Sequence, residues 1–175
     1  MNKTIEEYTK EIHQQNVSVG WWDNPDECIY QKIQLISTEI CEATEGERKN
    51  LMDDHLPTRK MGEVELADAL IRTLDLGGKL GLEYDNTANH SDHIDAGYTI
   101  GRQHLGITIA VSYFAMAIDE IDMHLAYSQV INSILRCAEI NNYSIYEAMD
   151  EKITYNKSRP DHKRSTRTLQ GGKSF

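Results

Sequence analysis

Two stretches of sequence decide the fold. Residues 29–43 read IYQKIQLISTEICEA, and residues 63–76 read EVELADALIRTLDL. In both, the residues of one face recur at steps of three and four, which is the period of an amphipathic helix. These residues are Ile29, Ile33, Ile36, Ile40 and Ala43 in the first stretch, and Leu66, Leu70, Thr73, Leu74 and Gly77 in and directly after the second. The pattern therefore predicts two amphipathic helices.

Each predicted helix carries a pair of carboxylates three residues apart. Glu39 and Glu42 project from neighbouring turns of the first helix, and Glu65 and Asp68 from neighbouring turns of the second. On two antiparallel helices the pairs can converge on one point, which is unfavourable unless a cation lies among them or a proton is shared. Oxygen ligands without His or Cys suit a hard ion. We therefore expect a site for Mg²⁺, with Mn²⁺ as an alternative.

The remaining sequence favours an all-α fold. The chain has 175 residues, of which only three are Pro and two are Phe, and this length suits a single core. Further helical patterns bring the total to about six helices in an antiparallel bundle. The predicted helices cover residues 1–16, 28–49, 57–80, 102–123, 125–141 and 145–156, with polar loops at 51–60 and 83–102. We expect one domain over residues 1–160 and a basic, flexible tail over residues 161–175.

The last two long helices before residue 141 faintly echo the acidic pair. Residues 131–135 align with residues 70–74 at an offset of 61 residues, which places Gln129 opposite Asp68 and Ala126 opposite Glu65. One interpretation is a degenerate repeat, in which residues 103–141 have lost their metal ligands and close a four-helix bundle. The alternative is that these are simply two more amphipathic helices.

Charge and cysteine usage limit the partners and the compartment. Residues 1–151 carry a net charge of −16 and residues 152–175 carry +6, so the acidic body argues against binding to a nucleic acid polymer. Cys28, Cys41 and Cys137 form no CxxC motif, which favours a reducing compartment. The N-terminus resembles no secretory signal, and the most apolar stretch, residues 106–118, is too short to span a bilayer. We expect a cytoplasmic protein without membrane contact.

Four segments together resemble one protein family. They are the ordered pairs Glu39-x-x-Glu42 and Glu65-x-x-Asp68, the sequence GWWD at residues 20–23, ELADALIRTLD at residues 65–75, and KITYNKSRP at residues 152–160. This combination resembles the MazG-like all-α nucleoside triphosphate pyrophosphohydrolases, which are related to the dimeric dUTPases. Many members carry an additional Glu directly before the first ligand, where this chain has Thr38. The departure leaves open whether one or two metal ions bind.

The resemblance implies an activity and a role for each matching residue. It implies Mg²⁺-dependent hydrolysis of a nucleoside triphosphate to the monophosphate and pyrophosphate by a homodimer or homotetramer, in nucleotide-pool house-cleaning. The implied metal ligands are Glu39, Glu42, Glu65 and Asp68, of which Glu39 and Glu42 are also the candidate catalytic bases. The implied substrate contacts are Lys152, Asn156 and Arg159 for the phosphates or ribose, and Trp21 or Trp22 for stacking on the base.

Several alternatives stay open. Trp21 and Trp22 are equally explained as core aromatics. Arg72 lies on the acidic face, where a salt bridge to the carboxylates is favoured over a phosphate contact. At the level of function, the alternatives are a dUTPase-like enzyme specific for dUTP and dUDP, or a non-catalytic helical module that binds a metal or a protein. A nucleotide panel assayed for pyrophosphate separates the three.

Overall fold

The computed structural model describes residues 3–24, 28–160 and 164–167. These ranges contain six long helices and one short one: α1 (Ile5–Ser18), α2 (Ile29–Lys49), α3 (Met61–Leu80), α4 (Ile100–Met116), α5 (Met123–Ile140), α6 (Ile145–Ser158) and α7 (Arg164–Arg167). No strand occurs within them, and an isolated bridge pairs Met52 with Lys60. The predicted all-α bundle is confirmed. Most of the predicted tail over residues 161–175 lies outside the described residues.

α3 is the central helix of the bundle. It packs against α1, α2, α5 and α6, and most of its circumference is buried. The apolar face that contains Leu66, Leu70 and Leu74 is inaccessible to solvent. The acidic face is also largely covered, since Glu65 is 7% exposed and Asp75 is 8% exposed. The carboxylates of α3 therefore lie between helices rather than on an open surface.

α2 and α3 form an antiparallel hairpin. Close contacts join Gly46 to Met61 at one end, and an ion pair joins Glu39 to Arg72 farther along. The predicted start of α3 at Pro57 is wrong, because the helix begins at Met61. Residues 51–60 instead satisfy one another's backbone groups. Asp53 accepts hydrogen bonds from the backbone N–H groups of His55 and Leu56 at 2.9 and 2.7 Å.

α4 and α5 pair with each other and cover the first hairpin. α4 packs on α2, and α5 packs on α3, so the two helix pairs lie against each other. The degenerate repeat over residues 103–141 stays a prediction. The predicted extent of α4 to Met123 is wrong, since the helix ends at Met116. Asp119 has a φ of 68°, a left-handed conformation that cannot continue an α-helix. The chain therefore turns over residues 117–122 before α5 begins.

α1 and α6 complete the bundle around α3. The start of α1 is fixed by a capping box in which Thr4 and Glu7 exchange hydrogen bonds. The start of α6 is held to α3, because the backbone N–H of Ser144 donates to Glu63 Oε1 at 2.8 Å. Arg59 strengthens this joint through ion pairs with Glu63 and Glu151 at 3.0 and 2.8 Å. Among the described helices, none combines the length and apolar character needed to cross a membrane.

Candidate metal centre and the adjoining pocket

Three carboxylates converge between α2 and α3. One oxygen atom from each of Glu39, Glu42 and Glu65 lies within 4.8 Å of the other two. Glu39 is 5% exposed and Glu65 is 7% exposed, whereas Glu42 is accessible to solvent. The two glutamates of α2 are three residues apart on one flank of the helix, and the antiparallel hairpin places Glu65 opposite them. The structure thus brings together three of the four predicted metal ligands.

The fourth predicted ligand, Asp68, is engaged by a lysine from α6. Lys152 Nζ lies 2.9 Å from Asp68 Oδ2, and the side chain of Lys152 is only 2% exposed. Asp68 itself is partly covered, with 16% of its side chain exposed. Its carboxylate is still close enough to act on the others, since its charge raises the pKa of Glu65. Asp68 therefore borders the three-carboxylate group without being a member of it.

The electrostatics of the cluster favour the addition of positive charge. Burial is the main reason that the pKa of Glu65 lies well above its usual range, and the charge of Asp68 is the second. Burial also raises the pKa of Asp68, although Lys152 offsets part of the effect. In both cases the negatively charged form is disfavoured by lost hydration and by neighbouring carboxylates. A divalent cation or retained protons would relieve this repulsion.

The donor set fits a hard divalent ion. All three converging groups are carboxylates, and oxygen ligands of this kind suit Mg²⁺ or Mn²⁺ rather than Zn²⁺. Glu42 reaches the solvent side of the group, so an ion held there would keep coordination positions open on that side. This is the arrangement expected where an ion binds both protein and a phosphorylated ligand.

A pocket of about 300 Å³ lies beside the three glutamates, and Asp68 and Arg72 line its near side. It is lined by the acids Asp68 and Asp75, the bases Lys32, Arg72 and Arg159, the amides Asn16 and Asn156, the aromatics Trp21 and Trp22, and the apolar residues Leu35, Ile71 and Leu76. Four of the five predicted substrate-binding residues therefore lie in one pocket. The fifth, Lys152, is buried against Asp68 and offers almost no surface to a ligand.

Asp75 organises one part of this pocket through three donors. Its Oδ1 atom lies 2.9 Å from His13 Nδ1 and accepts a hydrogen bond from Trp22 Nε1 at 3.0 Å. Its Oδ2 atom accepts a hydrogen bond from Asn16 Nδ2 at 2.7 Å. The carboxylate therefore ties α1 and the segment after it to α3. This network fixes the orientation of the Trp22 indole.

The two tryptophans have different environments. Trp22 packs against the hydrophobic core and has ammonium groups near its ring, with Lys32 Nζ at 4.7 Å and Lys79 Nζ at 5.3 Å from the centroid. Trp21 lines the pocket and has Lys32 Nζ 5.6 Å from its ring centroid. The indole N–H of Trp22 bonds to Asp75, and its ring packs against the core and the two lysines. Trp21 is therefore the better candidate for a stacking surface.

Two residues of α6 and its C-terminal boundary face the same pocket. Asn156 has a buried Oδ1 atom without a hydrogen-bond partner in the described part of the chain. A buried acceptor of this kind usually has a partner, so a donor from water or a ligand is expected there. Arg159 lines the pocket, and its guanidinium lies 5.5 Å from the Tyr155 ring centroid.

Sequence reasoning missed Lys32 and Asp75 as members of the site. Lys32 is only 9% exposed, and its Nζ donates to the backbone carbonyl of Trp21 at 3.4 Å. The sequence spacing could have pointed to both residues, because Lys32 precedes Glu39 by seven residues and Asp75 follows Asp68 by seven. Two helical turns bring residues at this spacing to the same face. His13 and Asn16 carried no comparable signal, since α1 is distant from the site in sequence.

Comparison of the chain with family models, with curated proteins and with solved structures finds no match.

Proposed function

We propose that this protein is a Mg²⁺-dependent nucleoside triphosphate pyrophosphohydrolase. The observation that carries the proposal is the convergence of Glu39, Glu42 and Glu65 within 4.8 Å beside a pocket with basic, amide and indole side chains. The carboxylates suit a divalent ion, and the pocket lining suits a phosphorylated ligand with an aromatic ring. Glu39, Glu42 and Glu65 would hold one or two ions, with Asp68 at the border of the group.

Each part of the pocket has a role in this proposal. The bound ion would polarise the α-phosphoryl group and lower the pKa of the attacking water. Glu39 or Glu42 accepts the proton that the water loses, as the bond from the α-phosphorus to the bridging oxygen breaks and pyrophosphate leaves. Arg159 and Asn156 orient the phosphates or the ribose, and Trp21 provides a face for the base.

Lys152 supports the site indirectly in this mechanism. Its buried ammonium group bonds to Asp68 and lowers the electrostatic repulsion among the carboxylates. The site can therefore concentrate acidic groups without losing the packing of α3 against α6. This differs from the direct phosphate contact that the family resemblance implies for Lys152.

A nucleotide panel tests the activity. The ribonucleoside and deoxyribonucleoside triphosphates, together with dUDP, are incubated with the protein and Mg²⁺, and the monophosphate, pyrophosphate and orthophosphate are measured separately. We expect equal amounts of monophosphate and pyrophosphate, and no turnover in EDTA. A strong preference for dUTP and dUDP would identify the dUTPase-like alternative. Cleavage of dUDP at the same bond gives dUMP and orthophosphate. Release of orthophosphate alone from a triphosphate would contradict cleavage between the α and β phosphates.

Matched glutamine variants test the site. Glu42→Gln removes a carboxylate from the converging group, whereas Glu45→Gln removes one from the same helix that is paired with Arg48 and Lys49 instead. We expect Glu42→Gln to lower turnover by at least about 100-fold, which is the upper range for loss of a supporting residue around a metal. Glu45→Gln should be nearly unchanged. Full activity of Glu42→Gln in saturating Mg²⁺ would exclude this metal centre.

The family resemblance also motivates proposals about assembly and location. A homodimer or homotetramer would cover some of the exposed apolar side chains of α4, which include Leu105, Tyr113 and Met116 at 54%, 59% and 76% exposure. Sedimentation equilibrium measures the state directly. A role in the nucleotide pool places the protein in the cytoplasm, and fractionation of the source cells tests that placement.

A further inference from the structure

Arg72 is ion-paired with a carboxylate of the candidate metal centre. Its Nε atom forms a close ion pair with Glu39 Oε1, and Glu39 is one of the three converging glutamates. The arginine comes from α3 and the glutamate from α2, so this pair crosses the helix hairpin. Arg72 also lines the adjoining pocket. The same side chain therefore touches both the metal ligands and the space proposed for the nucleotide.

The two basic residues of the cluster differ in their freedom to move. The Lys152 side chain is 2% exposed and is enclosed where α6 packs on α3, so it cannot leave Asp68 without disturbing the core. The Arg72 side chain is 39% exposed. A long side chain with that exposure can rotate into the pocket and keep its charge hydrated. The cluster thus contains one fixed positive charge and one that can move.

A divalent ion and the guanidinium compete for Glu39. Both are attracted by the same carboxylate, and the positive charges repel each other when they are held a few ångströms apart. An ion ligated by Glu39, Glu42 and Glu65 neutralises the charge that retains Arg72 at Glu39. The other carboxylates of the pocket have donors of their own, since Asp68 pairs with Lys152 and Asp75 bonds to groups of α1 and Trp22. A phosphate in the pocket is then the alternative partner for Arg72, because a planar guanidinium matches its geometry.

We propose that Arg72 is an exchangeable counter-ion. It pairs with Glu39 in the metal-free protein and moves to the substrate phosphates when a metal binds. Metal binding therefore precedes tight nucleotide binding, and the arginine couples the two events. The exchange at Glu39 depends only on the carboxylates and Arg72. The second step, transfer of Arg72 to a phosphate, rests on the proposed function.

The first experiment measures metal affinity without catalysis. Free Mn²⁺ is quantified by electron paramagnetic resonance in titrations of wild-type protein, Arg72→Gln and Arg72→Lys. Arg136→Gln is the matched control, because Arg136 is 36% exposed and is paired with Glu139 on α5. If Arg72 competes with the metal, Arg72→Gln should bind Mn²⁺ about tenfold more tightly, and the other two proteins should stay near the wild type.

The opposite result would overturn the exchange. If Arg72 instead held Glu39 in a conformation suitable for the metal, its removal would weaken Mn²⁺ binding by about 10- to 100-fold, as for other residues that support a ligand. Unchanged affinity would equally contradict competition, and absence of Mn²⁺ binding by the wild type would overturn the metal centre itself. Circular dichroism melts of each variant confirm that the compared proteins are folded.

The second experiment measures nucleotide affinity by calorimetry with α,β-methylene-dUTP and α,β-methylene-dATP, which cannot be cleaved at the α–β bridge. In saturating Mn²⁺, Arg72→Gln should bind the analogues at least about fivefold more weakly than the wild type, although it binds the metal more tightly. Equal affinity would exclude the transfer of Arg72 to a phosphate. If the wild type bound neither analogue, the proposed function would fail while the exchange at Glu39 stood on the Mn²⁺ result.

Discussion

Lys152 Nζ lies 2.9 Å from Asp68 Oδ2 in a position where only 2% of the lysine side chain is exposed. The pair joins α6 to α3 at the border of the three converging glutamates. Burial of a lysine is unfavourable unless its charge is compensated. Burial is the largest single effect on the pKa of Lys152 and lowers it, but the charge and the hydrogen bond of Asp68 raise it, and the net pKa lies above the ordinary value. The lysine therefore remains charged and compensates an otherwise repulsive group of acids.

Replacement of Lys152 by Met should destabilise the metal-free protein by about 3 kcal/mol, because it leaves Asp68 without its cation in a partly buried position. The double variant Lys152→Met, Asp68→Leu should recover most of this loss, since it removes both charges. Urea unfolding in EDTA measures the free energies. A loss below about 0.5 kcal/mol in the single variant would show that the pair contributes little, as exposed pairs do.

The pKa of Glu65 predicts how metal-free stability changes with pH. Burial and the charge of Asp68 raise this pKa above the ordinary value of 4.5, so the folded protein retains a proton that the unfolded chain releases. The protonated Glu65 therefore contributes its full share to the unfolding free energy below about pH 4.5. This contribution is lost as the pH rises toward the raised pKa. In EDTA, Glu65→Gln should remove this decline and be more stable than the wild type near neutral pH.

Urea unfolding at several pH values between about 5 and 8 checks the sign, since one group with a raised pKa contributes about 1.4 kcal/mol per pH unit across its window. Glu45→Gln is the control, because the pKa of Glu45 is lowered by hydrogen bonds from Arg48 and Lys49 and the group does not titrate in this range. If the unfolding free energies of the wild type and of Glu65→Gln changed in parallel with pH, Glu65 would not hold the proton.

Two glycines should respond in opposite directions to the same substitution. A Cβ atom at Gly77 would lie 2.4 Å from both Cζ and the hydroxyl of Tyr127, whose ring is fully buried. Gly77→Ala should therefore destabilise the protein by about 1–3 kcal/mol through overpacking. A Cβ atom at Gly101, in the first turn of α4, would meet no atom within 4 Å. Gly101→Ala should stabilise the protein by about 0.5–1 kcal/mol.

Thermal and urea unfolding of the two variants give the comparison directly. If Gly77→Ala were neutral, the close approach of Tyr127 to α3 would not limit this position. If Gly101→Ala were destabilising, the free space at the start of α4 would be filled in solution. Both glycines lie in helices, so the difference in sign isolates the effect of packing from the effect of helix propensity.

The site shows which features the sequence could predict. Glu39, Glu42 and Glu65 were found because their convergence depends on a spacing of three residues and on one antiparallel hairpin. Both are regular properties of helices. The engagement of Asp68 by Lys152 could not be foreseen, since it depends on how α6 docks on α3. The packing partner is 84 residues away, and no local pattern encodes its approach.

In the fold, too, the local helical patterns could be predicted from the sequence, whereas the docking of helices on one another could not. The periodic stretches predicted α2 and α5 to within a few residues, because each places one apolar stripe on a core. The nearly complete burial of α3 was not predicted, since its polar face is covered by α1, α2 and α6 from elsewhere in the chain. His13 and Asn16 illustrate the cause, because they reach Asp75 across 62 and 59 residues.

The tryptophans should separate into a structural residue and a binding residue. Trp22 donates to the buried residue Asp75 at 3.0 Å, and a hydrogen bond to a charged group is worth about 1.5–3 kcal/mol. Trp22→Phe should therefore lower the unfolding free energy by about 2 kcal/mol and release the constraint on Asp75. Trp21→Phe should preserve stacking, since Phe retains an aromatic face.

Trp21→Ala removes that face and should raise KM for a nucleoside triphosphate about tenfold while kcat changes little, because a stacking contact acts on bound substrate and transition state alike. The effect should disappear with inorganic tripolyphosphate as a competitive inhibitor, since this probe has no base to stack. Its inhibition constant should therefore be equal in the wild type and in Trp21→Ala. If instead Trp22→Ala raised KM and Trp21→Ala did not, the stacking role would belong to Trp22, and its bond to Asp75 would orient the indole for the base.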